Sequence, residues 1–332
     1  MKSRNFFPGL AAAAGMLVLI LDSRTALEGM SGGIEICIHT LIPSLFPFFV
    51  LSVYMTGNLI GKDLIVLRPL CALLGIPSGA ESLLVTGFLG GYPTGAQSVA
   101  QAYAQQRLSR QKAEHLLAFC SNAGPAFLFG VVGQAFDSVW AAWGLWLIHI
   151  ASALLTGFLS KGPSDQVVIS RENRALSLSQ AMKTAIAVMA QVCGWAVVFR
   201  MLLCYLDRWF VWLLPDGAQV LLSGMLEFSN GCLRLRELEG EGVRFVTASA
   251  MTAFGGICVA LQTRSVVGQL SLRFYFAGKL LQTCLSILMA GFLVRSRFSP
   301  VLLAVICLIC LISIRILRKT EKNSSIPAAI GV

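Results

Sequence analysis

The chain has 332 residues, of which 56% are hydrophobic and 13% charged, with a mean hydropathy of +0.75. Soluble domains carry about a quarter charged residues, so a water-soluble enzyme or binding module is excluded and a bilayer is the expected solvent. Lys plus Arg number 26 against 16 Asp plus Glu, a formal charge of +10, yet the basic residues punctuate apolar runs instead of forming one face, which excludes nucleic acid as a partner.

Ten cysteines are scattered through mostly apolar stretches, which argues against a disulfide framework. Cys307-x-x-Cys310 has neither a histidine nor a second pair near it, and with three histidines in all, no metal site and no cofactor are expected.

Residues 1–33 read as an N-terminal transmembrane helix and loop: Lys2 and Arg4 precede an apolar body over 6–21, and no small-x-small cleavage site follows Leu21. A first membrane repeat is expected over 34–160. It opens with a span at 34–58, in which Pro43 and Pro47 remove two ladder donors and should break or kink the helix. The apolar piece 64–76 is too brief to cross upright. Residues 83–104 are interrupted by Gly90-Gly91-Tyr92-Pro93-Thr94-Gly95, which cannot make a regular lipid-facing helix, so Gly90, Gly91, Pro93 and Gly95 are expected re-entrant or hinge positions. A charged loop at 107–114 leads to an apolar run at 116–132 containing Cys120-Ser121-Asn122-Ala123-Gly124-Pro125, where Pro125 is a further hinge. Trp140, Trp143 and Trp146 at the start of the next span suit an interfacial belt.

Residues 161–183 are polar, and Lys161, Arg171, Arg174 and Lys183 favour a cytoplasmic linker. A second repeat follows at 184–295, with apolar runs at 185–205, 209–230, 245–261 and 270–294. Residues 296–332 supply a last transmembrane helix and a cytoplasmic tail carrying Arg315, Arg318, Lys319 and Lys322.

The halves align at their glycines. Thr86-Gly87-Phe88-Leu89 pairs with Ser223-Gly224-Met225-Leu226, Ala123-Gly124 with Gly255-Gly256, and Leu155-Thr156-Gly157-Phe158-Leu159 with Met289-Ala290-Gly291-Phe292-Leu293, at offsets of 137, 132 and 134. The expected fold is therefore an all-α polytopic integral membrane protein of two related halves, inverted if residues 209–230 re-enter, with glycine- or proline-broken or re-entrant helices. Interrupted segments at corresponding positions of two halves are where half-helix ends and freed backbone groups can face a solute.

Candidate binding residues follow from that placement. A carboxylate inside a span costs about 2.5–3.5 kcal/mol on insertion scales, so Glu227 faces a cavity, a partner or a proton path unless its segment ends early at the interface. Asn230 beside it can bond an uncharged polar solute. Ser121 and Asn122 either do the same or satisfy backbone groups freed by Pro125, with Gly124 at the break. Gly255 and Gly256 mark the matching break, and Gln262 is either a buried amide or the end of a span. His149 reads more readily as a packed, hydrogen-bonded side chain than as a proton relay. Glu35 and His39 are four apart and suit an ion pair or hydrogen bond. No Walker loop, Gly-x-Ser-x-Gly or His-Glu-x-x-His occurs, so no enzyme chemistry is expected.

Four ordered motifs, Gly90-Gly91-Tyr92-Pro93-Thr94-Gly95-Ala96, the run Ala113 to Pro125, Leu226-Glu227-Phe228-Ser229-Asn230-Gly231 and the run Phe254 to Gln262, resemble the sporulation integral membrane protein YlbJ family, within the nucleoside recognition (Gate) domain proteins of spore-forming Firmicutes. The resemblance covers residues 34–294. It implies an inner-membrane protein connected with endospore formation, whose Gate domains look like parts of concentrative nucleoside transporters and of the ferrous iron transporter. Members often carry a histidine where this chain has Ala260, and tend to be longer. Two functions stay open on this reading: a solute transporter or channel with a midplane site between the repeats, or a non-transporting scaffold in spore-envelope assembly. The partners implied are the lipid bilayer, a small polar solute (nucleoside-like or other), and further copies of the chain or other spore-envelope membrane proteins.

Overall fold

A computed structural model of the chain describes residues 6–59, 62, 64–160, 176–295 and 300–323, and among these every regular element is helical. The expected linker residues Lys161, Arg171 and Arg174 lie outside the described residues, as does the end of the tail.

The chain begins with α1 (Phe6–Leu21), and Asp22 then caps α2 (Ser23–Ile36) by accepting the Thr25 N–H. A π turn at Cys37–Leu41 joins α2 to α3 (Ile42–Leu59), so that Ser23–Leu59 is one rod of 37 residues. The break expected at Pro43 and Pro47 is thus replaced by a wide turn. The Ile42 N–H reaches back to the Cys37 carbonyl, and this extra residue in the turn accommodates the Pro43 ring that would strike an α-helical carbonyl. The Ser44 hydroxyl donates to the Thr40 carbonyl at 2.6 Å, compensating one disturbed acceptor.

Short elements follow: α4 (Arg68–Leu74), α5 (Glu81–Leu89), α6 (Thr94–Ala104), α7 (Arg110–Leu116) and α8 (Pro125–Gly130), before the long α9 (Val139–Leu159). The loop expected at 107–114 is largely helix, because the Ser109 hydroxyl accepts the Lys112 N–H at 3.2 Å and starts α7 at Arg110.

The second half opens on α10 (Leu178–Trp209), 32 residues started by a reciprocal capping box of Ser177 and Gln180. The end of the expected linker, Lys183 included, therefore belongs to this helix. Then come α11 (Asp216–Leu226), α12 (Phe228–Leu233), α13 (Glu241–Phe254), α14 (Gly256–Val266) and α15 (Arg273–Leu293). Last is α16 (Pro300–Asn323), in which the expected tail residues Arg315, Arg318, Lys319 and Lys322 continue the helix.

Among the described residues, five helical stretches are long and apolar enough to cross a bilayer: Ser23–Leu59, Val139–Leu159, Leu178–Trp209, Glu241–Val266 and Arg273–Leu293. Between apolar helices in lipid, association rests on close packing more than on water exclusion. The two longest helices meet in that way. A Cβ at Gly29 would lie 2.6 Å from the Met201 Cα, and one at Gly33 2.8 Å from the Val197 Cα, so small residues four apart on α2 let its backbone touch α10. Trp140 and Trp143 are exposed at the start of α9. Glu35 and His39 are both exposed, and no hydrogen bond or ion pair joins them. The π turn begins between them and displaces His39 from the i+4 position above Glu35.

Candidate functional site

Apart from the added α4 of the first half, each half contributes a long helix, a pair of short helices, a broken helix and a second long helix in the same order. In the first half these are α3, α5–α6, α7–α8 and α9; in the second, α10, α11–α12, α13–α14 and α15.

Both short pairs fold back on themselves across two glycines. In α5–α6, Gly95 lies against the backbone of Gly87, and both press on the Cys120 carbonyl. In α11–α12, Gly231 lies against the backbone of Gly224, and a Cβ at Gly224 would come within 2.6 Å of the Met251 sulfur. Cys120 and Met251 stand four residues before a glycine of each break, Gly124 at the end of the first and Gly255 at the start of the second. The same joint, a glycine pair seated on a residue four positions before a break glycine, is therefore made twice.

The two broken helices run antiparallel. Arg110 and Glu114, at the start of α7, bond the Gln269 carbonyl (3.0 Å) and the Ser271 N–H (2.9 Å) beyond the end of α14. At the opposite end, Arg236 and Arg244, flanking the start of α13, donate to the carbonyls of Gln134 and Ala135 after α8. The breaks consequently meet in the middle. Residues 120–124 are unwound ahead of Pro125, the first residue of α8, while Gly255 and Gly256 take φ of +79° and +80°, which ends α13 and restarts the chain as α14.

Between these parts lies a cavity of about 20 Å³, room for one water molecule. Its polar wall is built from Gly91 and Tyr92 at the tip of the first hairpin, Glu227 and Ser229 at the tip of the second, Gly124 at the first break and Gln262 on α14. Its apolar wall comes from the long helices, through Leu41, Leu45, Val192 and Ala196.

The sequence candidates divide between wall and support. Glu227 is 2% exposed and so is buried inside the protein. Its carboxylate caps α12, accepting the N–H groups of Ser229 (3.2 Å) and Asn230 (2.8 Å) and the Asn230 amide (2.7 Å). Gln262 bonds weakly to the Cys258 sulfur at 3.3 Å. Asn122 is fully buried behind the wall. Its amide donates to the carbonyls of Phe119 (2.7 Å) and Gly87 (3.1 Å) and so ties the unwound segment to α5. Ser121 is also fully buried, and its hydroxyl has no hydrogen-bond partner among the described residues. His149 accepts the Ala123 N–H at 3.1 Å, holding the unwound segment from α9. Gly255 packs on the Tyr92 ring and Gly256 on the Gly224 carbonyl. Of the hinge candidates, Gly90, Gly91 and Pro93 form the first hairpin's turn, with a cis Tyr92–Pro93 bond, and Gly95 sits in its glycine joint. Among the described residues no group of three or more metal-ligating side chains gathers.

Sequence reasoning missed Lys279 and Gln282. Both are on α15, 1% and 0% exposed. Lys279 Nζ donates to the Tyr92 hydroxyl (3.0 Å) and to Gln282 Oε1 (2.8 Å), and the Gln282 amide donates to Asn122 Oδ1 (3.0 Å). A single cation six residues inside an apolar helix is the same signal that singled out Glu227, and it would have found Lys279.

Two helical hairpins and two antiparallel broken helices around a small cavity with Glu227 and Gln262 in its wall, and, among the described residues, five helical stretches able to cross a bilayer, define a multi-pass membrane protein with a discontinuous-helix core. The chain is similar to the sporulation integral membrane protein YlbJ of Bacillus subtilis, with 25% identity over an alignment of 312 residues that covers 80% of this chain and 76% of that protein. No family model and no solved structure matches it.

Proposed function

We propose that the protein is a solute carrier or channel of two inverted halves, with α5–α6 and α11–α12 as re-entrant hairpins and the solute held at the cavity between their tips. The observation that carries this reading is the convergence of both hairpin tips, the first break and α14 on one small cavity that Glu227, Ser229 and Gln262 help to line. Half-helix ends and freed backbone groups at membrane depth are tolerated where they line a solute path. Glu227, Gln262, Ser229 and the backbone at Gly91 and Gly124 supply the contacts, and Glu227 is the group that takes a proton or cation during coupling. A small-molecule site needs about 300 Å³ or more, so solute enters once the hairpin tips part. The similarity to YlbJ suggests that the solute is moved across a bacterial inner membrane during spore formation.

Thermal stability of the purified protein against nucleosides, nucleobases, dipicolinate and divalent ions, beside Glu227→Gln, tests this. A ligand at 100 times its Kd adds about 2.7 kcal/mol when it binds only the folded state. Stabilisation by one class, lost in Glu227→Gln together with uptake into proteoliposomes, is the expected result. The second reading, a non-transporting scaffold in spore-envelope assembly, draws on the small cavity and on the Glu227 oxygens being occupied as a helix cap. No stabilisation and no uptake across the panel would leave that reading in place.

A further inference from the structure

Lys279 is among the largest fully buried side chains of the molecule, yet among the described residues no carboxylate lies within ion-pair range of it. The two buried carboxylates are engaged elsewhere: Glu227 caps α12, and Glu81 accepts the Gly79 N–H at 2.8 Å. Lys279 Nζ is instead surrounded by neutral groups. It touches the Tyr92 hydroxyl and the Gln282 amide oxygen, and it lies 4.9 Å and 6.0 Å from the ring centroids of Tyr92 and Tyr275, within the range at which an aromatic face attracts a cation.

These ligands stand at the negative end of a half-helix. The Tyr92 hydroxyl donates to the Thr252 carbonyl at 3.2 Å and approaches that of Ala253 at 3.5 Å. Both are last-turn carbonyls of α13, left without helical donors by the break at Gly255. The second ligand, Gln282, is bonded to Asn122 in the unwound segment of the first half. Hydroxyl oxygen, amide oxygen, aromatic faces and a helix C-terminus make up the coordination chemistry of a monovalent cation, and here the cation is covalently part of α15. Lys279 does not line the cavity, whereas Tyr92 does.

We propose that the Lys279 ammonium is a built-in monovalent cation that latches the tip of the first hairpin, through Tyr92, to the broken end of α13 and closes the cavity without a bound metal ion. The latch joins residues of both halves, so the hairpin tip leaves the cavity wall only when the Lys279–Tyr92 bond opens. It holds whether or not a solute crosses.

Hydrogen–deuterium exchange of the protein in lipid nanodiscs tests the latch, with residues 88–96 reporting the tip and residues 23–59 serving as the internal reference. In the wild type, exchange at the tip is the same in sodium, potassium or N-methylglucamine. In Lys279→Ala it rises at least tenfold at 88–96 with 23–59 unchanged, and millimolar methylammonium, which returns an ammonium to the vacated space, slows it again. Tyr92→Phe, which keeps the ring and removes only the hydroxyl, gives the same confined rise. Sodium dependence in the wild type, an equal rise at 23–59, no response to methylammonium in a folded Lys279→Ala, or an unchanged tip in Tyr92→Phe each overturns the proposal.

Discussion

At the scale of single residues, the buried polar side chains hold the backbone where helices stop. Asn122, His149 and Glu227 each bond peptide groups that a continuous helix would have satisfied, and an orphaned buried donor or acceptor costs about 1–3 kcal/mol. Glu227→Ala strips the cap from α12 and is expected to lower stability by about 1–2 kcal/mol in denaturation of the purified protein. Glu227→Gln keeps an acceptor oxygen and loses less than half of that. A loss as large in Gln as in Ala would mean that the charge, rather than the cap, matters. The same logic applies to Gln282→Leu, which leaves Asn122 Oδ1 and Lys279 each short of a partner and costs about 2–6 kcal/mol by that per-group figure.

Elements are joined through glycines, and the two hairpins carry the clearest instance. Gly231 meets the backbone of Gly224, and Gly95 meets the Cys120 carbonyl, so closely that no Cβ fits. Backbone cannot yield as a side-chain tip can, so Gly231→Ala is expected to be among the most damaging single changes, at roughly 3 kcal/mol or more. Gly194→Ala, on the exposed face of α10 with nothing within 4 Å, should be neutral or stabilising by about 0.5–1 kcal/mol, since alanine is the better helix former. Equal effects at the two sites, compared by thermal unfolding in the same detergent, would dismiss the joint.

For the whole molecule, the antiparallel run of α7–α8 against α13–α14 puts the loop before α7 and the loop before α13 at opposite ends. If the halves are inverted, single cysteines replacing the exposed Gln106 and Glu239 will be labelled by an impermeant thiol reagent from opposite sides of right-side-out vesicles. Labelling of both from one side would rule inversion out.

Much of this was legible from the chain. Apolar runs at membrane length, the glycine offsets between halves and the Gly-Gly-Tyr-Pro-Thr-Gly and Ser-Asn-Ala-Gly-Pro interruptions follow from local chemistry, because a residue that cannot continue a helix announces itself wherever it stands. Glu227 was legible for the same reason, as a charge in an apolar run. What the tertiary structure decided was who answers each of these residues. Pro43 leaves a π turn in place of a break because a neighbouring turn could widen. Asn122 and Asn230 support the site by bonding Gly87 and Glu227, and Lys279 joins it only because α15 packs against the first hairpin. The Lys279–Tyr92 pairing links residues 187 positions apart and the Asn122–Gly87 pairing residues 35 apart, and sequence periodicity is blind to both because hydrogen bonds are satisfied by proximity in space.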